Sequence, residues 1–236
     1  MRHYFTIDQW VSILQKTARE QAGLLPIAAL SRLSGLKGFT LRKALMRAEE
    51  KGLVDRVGPG LYLNKFAKVT LEELAMTLGK PCYISFESAL SYYGIISQEP
   101  LVLTCATTRK PQRRLTPLGE IVFRHISTER FKGYTENKGI LRAEPEKAFF
   151  DWLYWLCKTH GRFPDLDEIN WGGLNGEKIL FWSKEFPKSI QRFLKKQLET
   201  VGNSWCQTLN IELFFEKVKG LGQPSRGNDT ELQESK

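Results

Sequence analysis

The chain has 236 residues, and its 42% hydrophobic and 11% aromatic content is enough to bury the cores of two domains. Its formal net charge of +9 is concentrated at the front, because residues 1–70 hold 12 Lys and Arg against 5 Asp and Glu, whereas residues 161–236 hold 11 of each. No apolar run is long enough for a signal peptide or a membrane span, so we expect a soluble, cytoplasmic protein.

Apolar spacing in the first fifty residues is typical of three short helices. A stripe at three- and four-residue intervals begins after Thr6 and ends at Gly23, and Pro26 suits the first turn of a second helix. A third helix is predicted to start from Thr40 as its N-cap and to end at Gly52. Its inner face is apolar, whereas its outer face carries basic side chains.

Two short strands follow the third helix directly. They are predicted at 53–57 and 61–63, and the glycines of the connecting segment 58–60 permit the positive φ angles that a hairpin corner needs. A basic helix that runs into such a hairpin is typical of a winged helix-turn-helix. We therefore predict that residues 1–69 form this kind of DNA-binding domain.

The third helix is the predicted recognition element. Its basic side chains lie on or near the first two turns, the part that reaches base edges in the major groove. Because a local charge excess on such an element favours nucleic acid, we expect double-stranded DNA as the partner. The alternative is that these charges form only the solvated face of a protein-contact domain. The predicted DNA-binding residues here are Thr40, Arg42, Lys43, Arg47, Lys51, Arg56, Tyr62 and Lys65.

Residues 70–221 are predicted to form a larger mixed α/β domain with a small sheet and several helices, and residues 222–236 a flexible tail. Thr70 and Glu73 have the spacing of a capping box, which predicts a short helix. Pro145 begins a strong aromatic helix. The expected fold class is therefore α+β. Further helices are predicted at 85–93, 190–201 and 213–218, and strands at 101–107, 120–126 and 139–142.

A basic segment, TTRKPQRR, occupies residues 107–114. The pattern predicts a loop between two strands. This loop is either a solvated turn or a second surface that holds the DNA backbone and continues the track from the first domain. Its predicted DNA-binding residues are Arg109, Lys110, Arg113 and Arg114.

The four cysteines lie far apart and form no CxxC pair, a spacing that fits neither a zinc site nor a dense disulfide framework. The three histidines show no ligand-like spacing either. We therefore predict no metal, no cofactor, and reduced thiols that behave as small buried hydrophobes. The cysteines are Cys82, Cys105, Cys157 and Cys206.

Four short segments are similar to those of a known family: ISFESALSYYG at 84–94, TTRKP at 107–111, FRHI at 123–126 and PEKA at 145–148. Over roughly residues 25–160 the chain resembles the abortive-infection type E antitoxins of bacterial type IV toxin-antitoxin systems. The resemblance implies a transcriptional repressor that binds inverted repeats in its own operon. It also implies that the larger domain counters a nucleotidyltransferase-like toxin without a stable complex.

Two details qualify what the resemblance implies. Inverted repeats accommodate either a weak homodimer or two monomers that bind cooperatively. Relatives often carry a basic residue at the wing tip, where this chain has Pro59. We therefore expect the helix to contact DNA more securely than the wing does.

Catalysis is not expected from the polar residues of these segments. Ser85, Glu87 and Ser88 resemble a nucleophile cluster, but no histidine lies nearby in sequence and Ser85 suits a helix N-cap. Glu146 and Lys147 are expected only to suit the first turn of the aromatic helix. We therefore predict that the protein is not an enzyme.

Two other functions remain open at this point. A metal-dependent nuclease would use Glu120 together with Glu136-Asn137-Lys138 as a magnesium site, with the winged helix directing it to DNA. A protein that sequesters the toxin directly would use exposed aromatic residues within 152–182. For that last segment, burial in the core is the simpler expectation.

Overall fold

The computed structural model describes residues 5–161 and 163–201, with side chains as far as Gln197. This part of the chain is α+β, with eight α-helices and two β-sheets, so the predicted fold class is confirmed. The predicted helix at 213–218, the predicted tail and Cys206 lie outside the described residues.

The chain divides into two compact units, one ending at Trp152 and the other beginning at Leu153. Both sheets lie in the first unit. The domain boundary predicted between residues 69 and 70 falls inside that unit, and the division into a DNA-binding and an antitoxin domain stays a prediction. No helix among the described residues has the length and apolar character that crossing a membrane requires.

The first sheet is surrounded by three helices. Thr6 caps the first helix, because its hydroxyl accepts a hydrogen bond from the backbone N–H of Gln9. The side-chain oxygen of Gln9 in turn accepts a hydrogen bond from the backbone N–H of Thr6. A strand that the sequence did not predict pairs antiparallel with the second strand of the hairpin, and the strand order is β1-β3-β2. The elements are α1 Ile7–Arg19, β1 Leu24–Pro26, α2 Ile27–Ser34, α3 Gly38–Glu50, β2 Val54–Gly58 and β3 Leu61–Asn64.

The prediction that Thr40 caps the third helix is wrong. Helix α3 begins at Gly38, with Lys37 in the N-cap position and no side chain capping it. Gly35 and Gly38 both have positive φ angles, which let the chain turn from α2 into α3 within three residues. Thr40 therefore lies inside the first turn of α3, where it is exposed.

A shared apolar core holds this region together. The amide of Asn64, buried at the end of β3, donates to the carbonyl of Leu14 at 2.8 Å and to the hydroxyl of Thr17 at 3.1 Å, which ties the hairpin to α1. The helices and the hairpin therefore pack around one shared core. The core residues are Trp10, Leu14, Leu25, Leu30, Leu41, Ala44, Leu45, Ala48, Val54 and Tyr62.

The second sheet has six strands in the order β6-β7-β5-β4-β9-β8. Its two edge strands, β6 and β8, were not predicted. The turn between β8 and β9 consists of Lys138 and Gly139, both with positive φ, so the two strands extend directly from either side of it. The elements are α4 Leu71–Leu78, β4 Cys82–Ile84, α5 Phe86–Tyr92, β5 Leu103–Thr107, β6 Gln112–Thr116, β7 Gly119–His125, β8 Tyr134–Asn137 and β9 Ile140–Ala143.

Helices cover both faces of this sheet. The predicted capping box of Thr70 and Glu73 is confirmed at the start of α4. The helix then packs on one face, where the thiol of Cys82 donates to the carbonyl of Ala75 at 3.4 Å. On the opposite face, Tyr83 points to the helix α6, Pro145–His160, which the sequence predicted to begin at Pro145.

The second unit begins within α6 and contains two more helices, α7 Gly176–Glu185 and α8 Lys188–Val201. Helix α8 was predicted, whereas α7 was not. Trp171 and Trp182 are buried among the aromatic residues of this unit. Aromatic residues of this segment were candidates for an exposed surface that binds the toxin. At these two positions the residues lie in the core instead.

Candidate nucleic-acid interface

A cleft of about 540 Å³ lies between α3 and the β2–β3 hairpin. It brings together Arg42 from the helix and Arg56 from the hairpin, two of the residues that the sequence predicted to bind DNA. The apolar face of α3 is buried, which leaves the basic side chains of its opposite face exposed. The lining residues are Ile27, Arg42, Met46, Glu49, Arg56, Gly60 and Tyr62.

The cleft has one fixed carboxylate among its cations. Glu49 accepts a hydrogen bond from the backbone N–H of Arg56 at 3.1 Å, which attaches the hairpin to the last turn of α3. Tyr62 is only 7% exposed, so it forms the floor of the cleft rather than a projecting contact. The cleft is therefore lined by two arginines, with Tyr62 below them.

The remaining predicted residues of this region differ in exposure. Lys43 and Lys51 are exposed on α3 and at its C-terminal end, whereas Arg47 is half-buried. Lys65 forms an ion pair with Asp55 at 2.8 Å across the hairpin. The charge of Lys65 is therefore partly compensated, and the larger cationic contribution comes from the helix.

The basic segment 107–114 is not a single loop, and this prediction is wrong. Residues from Gln112 onward form the edge strand β6, and successive side chains of a strand point to opposite faces. Arg113 therefore lies on one face, where it pairs with Glu120, and Arg114 lies on the other, where it donates to Gln112 at 3.1 Å. Only Arg109 and Lys110 remain in an exposed loop.

Helix α4 links the hairpin to this second basic region. Gly58 in the hairpin packs so closely on Leu78 that a Cβ there would lie 3.0 Å from Cδ2 of Leu78. Gly119, at the β6–β7 turn, packs equally closely on Leu71. Seven residues of helix separate the two contacts, so they lie about 10 Å apart along the axis of α4.

Two exposed apolar residues on α3 were missed. Phe39 is 71% exposed and Met46 is 53% exposed. Both fall outside the buried stripe formed by Leu41, Ala44 and Leu45, and that mismatch was the available signal in the sequence. For Phe39 this signal depended on where the helix starts, because α3 begins at Gly38 and so includes Phe39 in its first turn.

A buried polar cluster joins α6 to the second sheet. Tyr83 and Ser85 each donate a hydrogen bond of 2.9 Å to Oδ2 of Asp151, and Lys147 contacts Oδ1 of the same carboxylate and donates to Tyr83 at 2.9 Å. Lys147 is 0% and Asp151 1% exposed. Ser85 occupies the N-cap position of α5, as expected, but its side chain makes no capping bond and donates to Asp151 instead. The expectation that Lys147 only suits a first turn is wrong, because its side chain turns inward to this carboxylate.

Burial dominates the electrostatics of this cluster. Desolvation raises the pKa of Asp151, against the opposing effect of Lys147, and lowers the pKa of Lys147, against the opposing effect of Asp151. Desolvation, together with the neighbouring carboxylate, also raises the pKa of Tyr83. Because all four side chains are enclosed, the cluster acts as a structural joint in this conformation.

The four segments that carry the family resemblance contribute contacts on and around the second sheet. Glu87, from the first segment, forms an ion pair with Arg124, from the third, at 2.6 Å. The hydroxyl of Thr107, which begins the second segment, donates to the carbonyl of Pro81 beside β4. The fourth segment contributes Lys147. Glu87 and Lys147 therefore hold α5 and α6 to the sheet, whereas Thr107 ties β5 to the residue before β4.

The carboxylates considered for the magnesium site of a nuclease lie too far apart to bind one ion. Glu120 lies on β7 and Glu136 on β8, with three strands between them. Four strand spacings of about 4.8 Å put these carboxylates roughly 19 Å apart, whereas the ligands of one ion lie within about 2.6 Å of it. Within the described residues, no cluster of three or more His, Cys, Asp and Glu is positioned to hold a metal.

The described cysteines differ in their surroundings. Cys82 and Cys105 are buried free thiols, as predicted. They lie on the neighbouring strands β4 and β5. Burial raises the pKa of Cys105, which disfavours its reactive thiolate form. Cys157 is only half-buried, so the prediction of burial is wrong at that position.

Comparison with known proteins found no family model that matches this chain and no curated protein that matches it. The resemblance to the type E antitoxins therefore stays a prediction that rests on the four segments.

Proposed function

We propose that residues 5–69 form a winged helix-turn-helix that binds double-stranded DNA, with α3 as the recognition helix. The element order supports this proposal, because three helices precede a hairpin whose inner strand pairs with a strand between α1 and α2. The observation that carries it is the cleft between α3 and the hairpin, which both Arg42 and Arg56 line. Such paired cations fit the phosphates that border a groove.

The start of α3 adds a second supporting feature. No side chain caps it, and no acidic residue lies in its first turn. Its free N–H groups and positive dipole end are favourable for a phosphate oxygen, which would fix the register of the helix on the duplex. Lys43, exposed one turn further on, would reach a neighbouring phosphate or a base edge.

The wider role follows from the family resemblance. We propose that the protein is a non-enzymatic, cytoplasmic antitoxin that represses its own operon and counters a nucleotidyltransferase-like toxin. In that role the first region binds operator repeats, as a weak dimer or as cooperating monomers, and the six-stranded sheet with its helices supplies the antidote activity. Arg109 and Lys110, exposed beside β6, would extend the DNA contact.

Salt-dependent DNA binding tests the proposal most directly. The full chain is titrated into a labelled 30-base-pair duplex of mixed sequence at several salt concentrations, with fluorescence anisotropy as the readout. If about four to six phosphates are neutralised, the plot of log K against log salt is expected to have a slope of about −4 to −5. A slope near zero would contradict binding through this basic surface.

Charge-matched variants locate the surface. The double variant Arg42→Ala/Lys43→Ala is expected to bind about tenfold or more weakly, with a slope that is less steep by about 2. Lys184→Ala/Lys188→Ala removes the same two charges from exposed positions of the second unit and is expected to bind normally. Equal losses in the two variants would show that only overall charge matters.

A growth assay tests the antitoxin role. The chain is expressed together with a nucleotidyltransferase-like protein encoded beside it, and growth is expected to recover without co-purification of the two proteins. Continued growth arrest would reject the antidote role while leaving DNA binding intact. A stable complex would instead favour direct sequestration of the toxin.

A further inference from the structure

The outer face of α3 combines cations with exposed apolar side chains. Arg42, Lys43 and Met46 lie three, four and seven residues after Phe39, so all four side chains are on the same side of the helix. Phe39 and Met46 are among the large hydrophobic residues that remain exposed, at 71% and 53%. A face intended only for phosphates would need no such side chains.

Phe39 is held in position by its neighbour. The ammonium of Lys43 lies 4.9 Å from the centroid of the Phe39 ring, one helical turn away. This cation–π contact restricts the rotamers of both side chains and leaves the far edge of the ring exposed. Because Phe39 is the second residue of α3, the ring projects from the end of the helix that enters a groove first.

The major groove offers one prominent apolar group, the C5 methyl of thymine, and aromatic side chains make apolar contacts with it. We propose that Phe39 contacts this methyl group and selects a thymine at one position of the bound site, with Lys43 as the residue that positions the ring. This inference rests on the proposed function, because it requires α3 to lie in the major groove. It assigns sequence selection to an apolar residue, whereas Arg42 and Arg56 supply affinity.

Removing single methyl groups from the DNA tests the inference. The full chain first selects its preferred duplex from a pool of random 30-base-pair sequences. Each thymine of that duplex is then replaced by deoxyuridine, which pairs identically but lacks the methyl group. At one position per site, the wild-type chain is expected to bind about fourfold more weakly, since burial of one methyl-sized group contributes about that factor.

Phe39→Ala completes a double-mutant cycle with the methyl removal. This variant is expected to fold, because the ring lies outside the core and alanine favours helices. It should bind the thymine duplex more weakly and no longer distinguish thymine from deoxyuridine. Phe181→Ala removes a ring that is 56% exposed on α7 and should keep the full fourfold effect.

The outcomes separate this inference from the proposed function. Salt-dependent binding that ignores every methyl group, or a methyl effect that persists in Phe39→Ala, overturns the inference and leaves DNA binding in place. Absence of salt-dependent binding overturns both. If Phe39→Ala binds DNA as the wild type does but loses self-association in sedimentation, the face contacts a second copy of the chain, and the inference is also overturned.

Discussion

Replacing Lys147 with methionine leaves the carboxylate of Asp151 buried without the ammonium that contacts it. Removing one partner of a buried ion pair costs about 3–5 kcal/mol of unfolding free energy, because the remaining charge is uncompensated. Tyr83 and Ser85 still donate hydrogen bonds to Asp151, so we expect a value near the lower end, about 3 kcal/mol.

The loss of stability in Lys147→Met should depend on pH. Lys147 lowers the pKa of Asp151 against the raising effect of desolvation, so its removal lifts the folded-state pKa further above the unfolded value. A raised carboxyl pKa contributes stability that is present below the unfolded pKa and is lost as the pH rises through the folded pKa. The variant should therefore be weakest at pH 8 and recover part of its stability at pH 5.

Urea unfolding followed by far-ultraviolet circular dichroism at pH 8 and pH 5 measures this effect. With an m-value of about 2 kcal/mol/M, a loss of about 3 kcal/mol lowers the midpoint by roughly 1.5 M. Lys158→Met, at an exposed position of the same helix, should change stability by less than about 0.5 kcal/mol. The double variant Lys147→Met/Asp151→Asn removes both charges and should lose less stability than the single variant, with little dependence on pH.

Two results would refute this reasoning. If Lys147→Met unfolds within about 0.5 kcal/mol of the wild type at pH 8, the ion pair is not a structural joint. If the variant is equally destabilised at both pH values, the loss comes from altered packing around the substituted side chain and not from a carboxylate left without its partner.

Three further substitutions test other contacts. Asn64→Ala removes the buried amide that donates to Leu14 and should lower stability by about 1–3 kcal/mol, measured as a fall in thermal midpoint. Gly79→Ala would place a Cβ 1.9 Å from the ring of Phe123, and the resulting overpacking should cost about 1–3 kcal/mol in urea unfolding. Thr70→Ala removes one half of a capping box and should cost about 1 kcal/mol, whereas Thr70→Ser should cost little.

Elements with local signals were predictable from sequence. Thr6 and Thr70 cap helices through bonds to residues three positions away, so the pattern of cap and partner lies within a few letters. The hairpin corner was equally local, since Gly60 has the positive φ angle that the turn needs. The buried stripe of α3 also followed directly from its helical spacing.

Elements whose evidence lies in their partners were missed. Strands β6 and β8 are the two edges of the six-stranded sheet and carry polar side chains on both faces, which removes the period-two alternation that marks a strand. Strand β1 has only three residues and exists because it pairs with β3. In each case hydrogen bonds to a neighbouring strand stabilise the extended backbone.

The start of α3 shows how a small local error alters a site. Threonine is a favoured residue at an N-cap, but the glycine at position 38 lets the helix begin before Thr40. That shift moved Phe39 from an expected loop into the first turn of the helix, which changes the chemistry of the exposed face. The cations of the candidate site could therefore be predicted from the sequence, but its exposed residue Phe39 could not.

The amino-acid sequence by itself determined the α+β class, the position of the basic helix and the hairpin that follows it, because helical periodicity, capping and turn chemistry act over a few residues. Only the tertiary structure decided that Arg42 and Arg56 share a cleft and that Arg113 and Arg114 do not share a face. It also decided that Asp151 is bound by Ser85, 66 residues away in the chain. Such contacts form when whole helices and strands pack to reduce the exposed apolar surface. The residues next to them in the sequence give no signal of these contacts.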